Sequence, residues 1–235
     1  SHYCEKSRWQ LDHKGLAYRT RNLLPGPHRL RTQWMARINT LPVLRDGQRV
    51  VGDSTKIAYY LEKHYPERSL IPTDAESRAR VIELEQQLDR VAVHVRRWLY
   101  GQIIDRPEVM DAMLDPYRLP SPVQKVLAPV TREGVRRLYR IEPKAVAHSG
   151  QRLEEGLDLV EQTLRRGNGR YLVGEQLTLA DITAAGLLAP LVSPAGTPWD
   201  MFEEGSLPAA LQKQLDDLRT RPAGQWVLER YAEDR

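Results

Sequence analysis

Val81, Leu84, Leu88, Val91, Val95 and Trp98 follow one another at steps of three and four residues. On a helical period they form one apolar stripe along about five turns. A stripe of that length must be covered by other helices, so the chain beyond Pro72 is expected to be a helical bundle. Further segments agree. Leu153, Leu157, Val160 and Leu164 repeat the spacing up to a "GNG" breaker, and "LPAALQKQLDDLR" and "PAGQWVLERYAE" read as two closing helices. In "LTLADITAAGLLAPL", Thr178 precedes Asp181 by three residues, the spacing of a capping box with the acid near the positive helix end. Between these helices lie prolines at 107, 116, 120, 122, 129 and 143, which predict short pieces or loops from 101 to 143.

The first 70 residues have a different texture. Cys4, Ser7 and Leu11 share a helical face, and Gly15 supplies a stop, giving a first helix from Cys4 to Lys14. "LAYRTRNLL" alternates as a strand does. A turn-rich "LPGPHRL" leads into a second irregular or helical segment ending at Ile38. "LPVLRDGQRVV" places Asp46-Gly47 between two β-rich runs, a strong hairpin signal. "DSTKIAYYLEKHYP" reads as a capped helix ended by Pro66. The order helix, strand, helix, hairpin, helix predicts an α/β domain over residues 1–70, with an all-helical domain over 71–235.

Composition narrows the function classes. With 41% hydrophobic residues, 235 residues can fill a sizeable core. The longest weakly polar run, "ITAAGLLAPLV", is far shorter than the roughly 20 residues of a membrane span. No secretory leader is visible and the single cysteine excludes an internal disulfide framework, so a cytoplasmic protein is expected. The net charge of +4 invites a nucleic-acid reading, but basic and acidic residues interleave, as in "RARVIELEQQLDRVAVHVRR". A footprint for nucleic acid needs a one-sided patch, and none is expected. The six histidines show no metal-ligand spacing; His2 reads as a solvated side chain. Trp98, Trp199 and Trp226 read as packing residues.

The opening "SHYCEKSRW" puts Ser1, Tyr3 and Cys4 at the mouth of the first helix. Backbone N–H groups and the macrodipole favour an anion there. A hydroxyl at the tip brings no thiolate of its own but can donate a hydrogen bond to one. Residues three apart share a face, so Cys4 is expected to point toward the sheet as a small buried hydrophobe. Tyr3 reads as a partly exposed first-turn residue.

Three motifs in order resemble the cytosolic glutathione transferase family over most of the chain. "TLPVL" at 40–44 resembles the segment where a proline follows a cis peptide bond, "GDSTKIAYYLEKHYP" the turn into the helix that holds the γ-glutamyl end of glutathione, and "YLVGEQLTLADI" the folding motif of the helical domain. "SHYC" is similar to the S-x-x-C of serine-type members (theta, delta and zeta-like) and to a glutaredoxin C-P-Y-C with the first cysteine replaced.

The resemblance implies a thioredoxin-like domain followed by a helical one, with Ser1 donating to the thiolate of bound glutathione and lowering its pKa. Leu41, ahead of Pro42, would pair through its N–H and C=O with the cysteinyl backbone of glutathione. Ser54 would meet the γ-glutamyl carboxylate and Asp53 the ammonium; the alternative for both is that they only cap the helix. At the glycyl end stand Asn39 and Thr40, with Arg37 as a possible substitute for the usual cation. The second substrate would be a small hydrophobic electrophile or a peroxide, in a pocket near Tyr100, Ile103, Tyr117, Leu119 and Tyr139.

The family also implies a homodimer, a detoxification role and no metal. Its first strand would precede Ser1, so the sequence reads as a truncation. Were Ser1 a true terminus, an N-terminal nucleophile would be conceivable. Two alternatives are a glutathione-transferase-like ligand-binding or interaction protein without turnover, and a glutaredoxin-like thiol transferase acting through Cys4.

Overall fold

The computed structural model describes residues 1–23, 27–115, 118–200 and 207–235. The N-terminal part runs α1 (His2–His13), α2 (His28–Ala36), β1 (Val43–Asp46), β2 (Arg49–Gly52) and α3 (Ser54–His64). The strands form an antiparallel hairpin with Val43 opposite Gly52 and Asp46 opposite Arg49. Gly47 takes φ 58°, the left-handed backbone that a tight hairpin turn requires. Leu11, Ile57 and Leu61 make a small core beneath the hairpin, flanked by Tyr18, Leu44, Val51, Tyr60 and Tyr65. Tyr60 and Tyr65 both donate to Asp46 Oδ2 at 2.7 Å, tying the hairpin to the end of α3.

The strand expected over "LAYRTRNLL" does not form at residues 16–23. The alternation is real: Leu16 and Tyr18 pack partly against the small core, while Ala17 and Arg19 are exposed. Alternation alone is not a strand, because the ladder needs a neighbour to bond to. Among the described residues β1 and β2 pair only with each other.

The helical part comprises α4 (Ala75–Ile103), α5 (Pro107–Leu114), α6 (Ser121–Tyr139), α7 (Pro143–Arg166), α8 (Leu179–Val192), α9 (Ala209–Thr220) and α10 (Pro222–Asp234). The α4 stripe is covered as expected: Val81, Leu84, Leu88, Val91 and Val95 are buried, with Trp98 packed at the edge. All of α8 is buried, as its unbroken apolar sequence demands, and it packs on α1, α4, α9 and α10. The stretch 101–143 is less broken than its prolines suggest, because α6 runs for 19 residues. Pro122 sits in the first turn, where the missing N–H would be unpaired anyway, and only Pro129 interrupts the ladder.

Candidate functional site

A cleft of about 1880 Å³ opens between the α1–β1–β2–α3 unit and the helical part, and Ser1, Leu41, Pro42, Asp53 and Ser54 all line it. Ser1 is the N-cap of α1. Its carbonyl accepts from the N–H groups of Cys4 (3.0 Å) and Glu5 (3.1 Å), while its side chain makes no capping bond. The first turn of α1 therefore presents its positive end to the cleft with the Ser1 hydroxyl beside it.

The Leu41–Pro42 peptide is cis. Pro42 C=O accepts from Asp53 N–H at 3.2 Å, so the corner before β1 and the residue after β2 are fastened to each other across the hairpin. Asp53 caps α3: its Oδ1 accepts from Thr55 N (3.0 Å) and Lys56 N (3.1 Å). These bonds use one carboxylate oxygen, and Oδ2 has no hydrogen-bond partner among the described residues. Asp53 holds φ 81°, a backbone few non-glycine residues adopt, and its cap and the Pro42 bond hold it there. Ser54 is buried behind it.

Lys6 locks the helices around these groups. Fully buried, its Nζ meets Glu85 Oε1 at 2.6 Å, Asp89 Oδ1 at 3.2 Å and Thr55 Oγ1 at 3.5 Å, while Thr55 also donates to Glu85 at 2.6 Å. One ammonium thus joins α1, α3 and α4. Burial raises the Asp89 carboxyl above its usual range, and Lys6 opposes the shift. Tyr3 donates to the Asp89 carbonyl at 3.3 Å, and burial followed by the Asp89 charge raises its phenol. Sequence reasoning missed Lys6, Glu85, Asp89 and Arg96. The only trace is that Glu85 and Asp89, four apart, border the apolar stripe beside Leu84 and Leu88.

Three readings change. Cys4 is half-exposed and lines the cleft instead of packing under the sheet, because the face it shares with Ser1 meets open space. His2 is buried, not solvated, with Nε2 unpartnered; burial, then the Arg96 charge, pushes its imidazole well below the usual value. Arg37 closes α2 in a left-handed conformation and does not line the cleft, whereas Asn39 and Thr40 do. Of the residues expected near a second pocket, Tyr100, Ile103 and Tyr139 line the cleft and Leu119 does not; Tyr117 lies outside the described residues. Among the described residues no group of three potential metal ligands comes together, and no helix is long and apolar enough to cross a membrane.

Residues 1–69 match "Glutathione S-transferase, N-terminal domain" and residues 143–211 match "Glutathione S-transferase, C-terminal domain", together more than half of the chain. No curated protein matches. Among solved structures, the beta-etherase LigF of Sphingobium sp. strain SYK-6 is 23% identical over 97% of this chain and 95% of its own, with a TM-score of 0.60. A glutathione transferase of Phanerochaete chrysosporium is 23% identical over 98% and 88%, with a TM-score of 0.62. A glutathione S-transferase of Methylobacterium radiotolerans, in complex with glutathione sulfonate, is 19% identical over 97% and 90%, with a TM-score of 0.58. At these identities the likeness is one of fold.

Proposed function

Because the chain belongs to the glutathione S-transferase family, we propose that it binds glutathione in the cleft and activates its thiol for attack on a small electrophile. The observation that carries this reading is that Ser1, Leu41, Pro42, Asp53 and Ser54, from three separate parts of the sequence, line one cleft. Asp53 offers Oδ2 to the ligand's ammonium while Oδ1 keeps the cap. Ser54 and the first turn of α3 receive the γ-glutamyl carboxylate, as helix N-termini receive anions. Leu41 pairs with the cysteinyl backbone as an added strand would.

This arrangement aims the sulfur at the N-terminus of α1. There the Ser1 hydroxyl donates to the thiolate and the helix end stabilises its charge, so more of the thiol is ionised at neutral pH. The thiolate then attacks the electrophilic carbon, forming a carbon–sulfur bond as the leaving group departs with its electron pair. Holding both reactants in one cleft removes the entropic cost of a bimolecular encounter. Among proteins of like fold, one is named a beta-etherase and another a maleylacetoacetate isomerase, so the fold is compatible with more than one outcome of thiolate attack.

Ser1→Ala tests the assignment. With glutathione bound, ultraviolet absorbance of the thiolate against pH should give an apparent thiol pKa one or more units higher in the variant, and turnover should fall by about 10²-fold, as for other lost donors to a developing anion. An unchanged thiol pKa removes Ser1 from the reaction. Absence of glutathione binding in the wild type removes the transferase reading itself.

A further inference from the structure

The α4 wall of the cleft carries a cation that no acid among the described residues neutralises. Arg96 is half-buried and faces the opening of α1. Among the described residues none of the acids that line the cleft pairs with it: Asp46 accepts from Tyr60 and Tyr65, Asp53 caps α3 through Oδ1, and Asp89 pairs with Lys6. The adjacent Arg97 spends its guanidinium on the Tyr139 carbonyl at 2.7 Å and on Ser149 Oγ at 3.2 Å. Arg96 has no ion pair among the described residues, and its Nε is buried without a hydrogen-bond partner. Its contacts are aromatic. The guanidinium carbon lies 4.0 Å from the Tyr139 ring centre and 5.8 Å from that of Tyr3, and Tyr139 stacks on Tyr100 at 5.7 Å with 14° between planes.

A guanidinium laid on aromatic faces keeps its fork of donors free in the plane. Resting on ring faces, with no acid on it among the described residues, the guanidinium is available to an added acceptor. A carboxylate is the group that matches such a fork with two parallel bonds, and Tyr100 and Tyr139, which line the cleft beside it, give aromatic surface for a ring to pack on. Arg8, Arg19, Arg21, Arg29, Arg31 and Arg45 also line the cleft, which favours the approach of an anion.

We propose that Arg96 is the recognition point for the second substrate and that this substrate is an aromatic electrophile bearing a carboxylate, its ring lying along Tyr100 and Tyr139. The identity of the ligand as a second substrate rests on the transferase reading; the anion site does not.

The test is calorimetric titration with 3-nitrobenzoate and its uncharged counterpart 3-nitrobenzamide, with and without glutathione, on the wild type, Arg96→Gln and Arg96→Lys. The wild type should prefer the benzoate by about 10- to 100-fold, the range of a charge-assisted hydrogen bond. In Arg96→Gln the two ligands should bind within about threefold of each other, and Arg96→Lys should restore part of the preference. A wild type with no preference overturns the inference, and this arm needs no variant to fold; so does a preference that survives in Arg96→Gln. Glutathione binding without benzoate preference refutes the inference alone. Benzoate preference dependent on Arg96 without glutathione affinity refutes the transferase reading and leaves the anion site standing.

Discussion

Asp181 accepts hydrogen bonds from Leu172 N (2.7 Å), Thr178 N (2.8 Å) and Thr178 Oγ1 (2.6 Å) where water does not reach. Burial pushes its carboxyl up to about 6, against the pull of those donors. The native state therefore holds its proton longer than the unfolded chain does. Below about pH 4 the group is protonated in both states. Between about pH 4 and 6 the unfolded chain ionises first, and each pH unit removes up to about 1.4 kcal/mol of stability; above 6 the loss is complete. Urea unfolding of the wild type and Asp181→Asn across pH 4 to 7 should show this as a difference that falls to pH 6 and then levels; a constant difference contradicts it. The pair Thr178 and Asp181 is legible in the sequence because local spacing specifies a cap. The depth of Asp181 is not, since α1, α4, α9 and α10 pack on α8 only in the folded chain. Cys4 shows the same division: spacing puts it on the face of Ser1, but nothing local says whether that face meets a sheet or a cleft.

At the scale of elements, periodicity predicts helices well and joins them poorly. The stripe of α4, the Asp46-Gly47 hairpin and the capped α3 each carry their signal within a few residues. The segment 16–23 carries a strand's alternation and stays unpaired, because a ladder depends on a neighbour elsewhere in the chain. Lys6 is the extreme case. In sequence it is one charge among several on a short helix; in the fold it is fully enclosed between Glu85 and Asp89 and holds α1, α3 and α4 together. Lys6→Met leaves Glu85 buried with only Thr55 as a partner among the described residues, and should cost about 3–5 kcal/mol in urea unfolding. Lys6→Met combined with Glu85→Leu should cost less than Lys6→Met alone, since no buried charge is then stranded. If the double variant loses as much or more, packing and not charge is what Lys6 supplies.

Across the whole molecule, the two ends of the chain meet on α1. Trp9 Nε1 donates to the Asp234 carbonyl at 3.1 Å and its ring meets Tyr231 edge-on at 4.8 Å. Arg235 reaches Glu5 at 2.8 Å and Asp12 at 2.6 Å. The helix whose first turn forms one wall of the cleft is thus fastened along its length by the last residues of the helical part. This contact joins residues 230 apart, and no local pattern announces it. Arg235 is itself partly exposed, which weakens the Asp12 pair through solvent screening, but Glu5 is buried and would be left alone. Arg235→Ala should therefore cost about 1–3 kcal/mol, and Glu5→Gln added to it should recover part of that by removing the stranded carboxylate. The effect should reach the cleft: hydrogen exchange of the α1 amides should quicken, and glutathione should bind several-fold more weakly, while the Ser1 hydroxyl remains in place. If exchange in α1 is unchanged while stability falls, the terminal clasp supports the bundle alone and has no hold on the site.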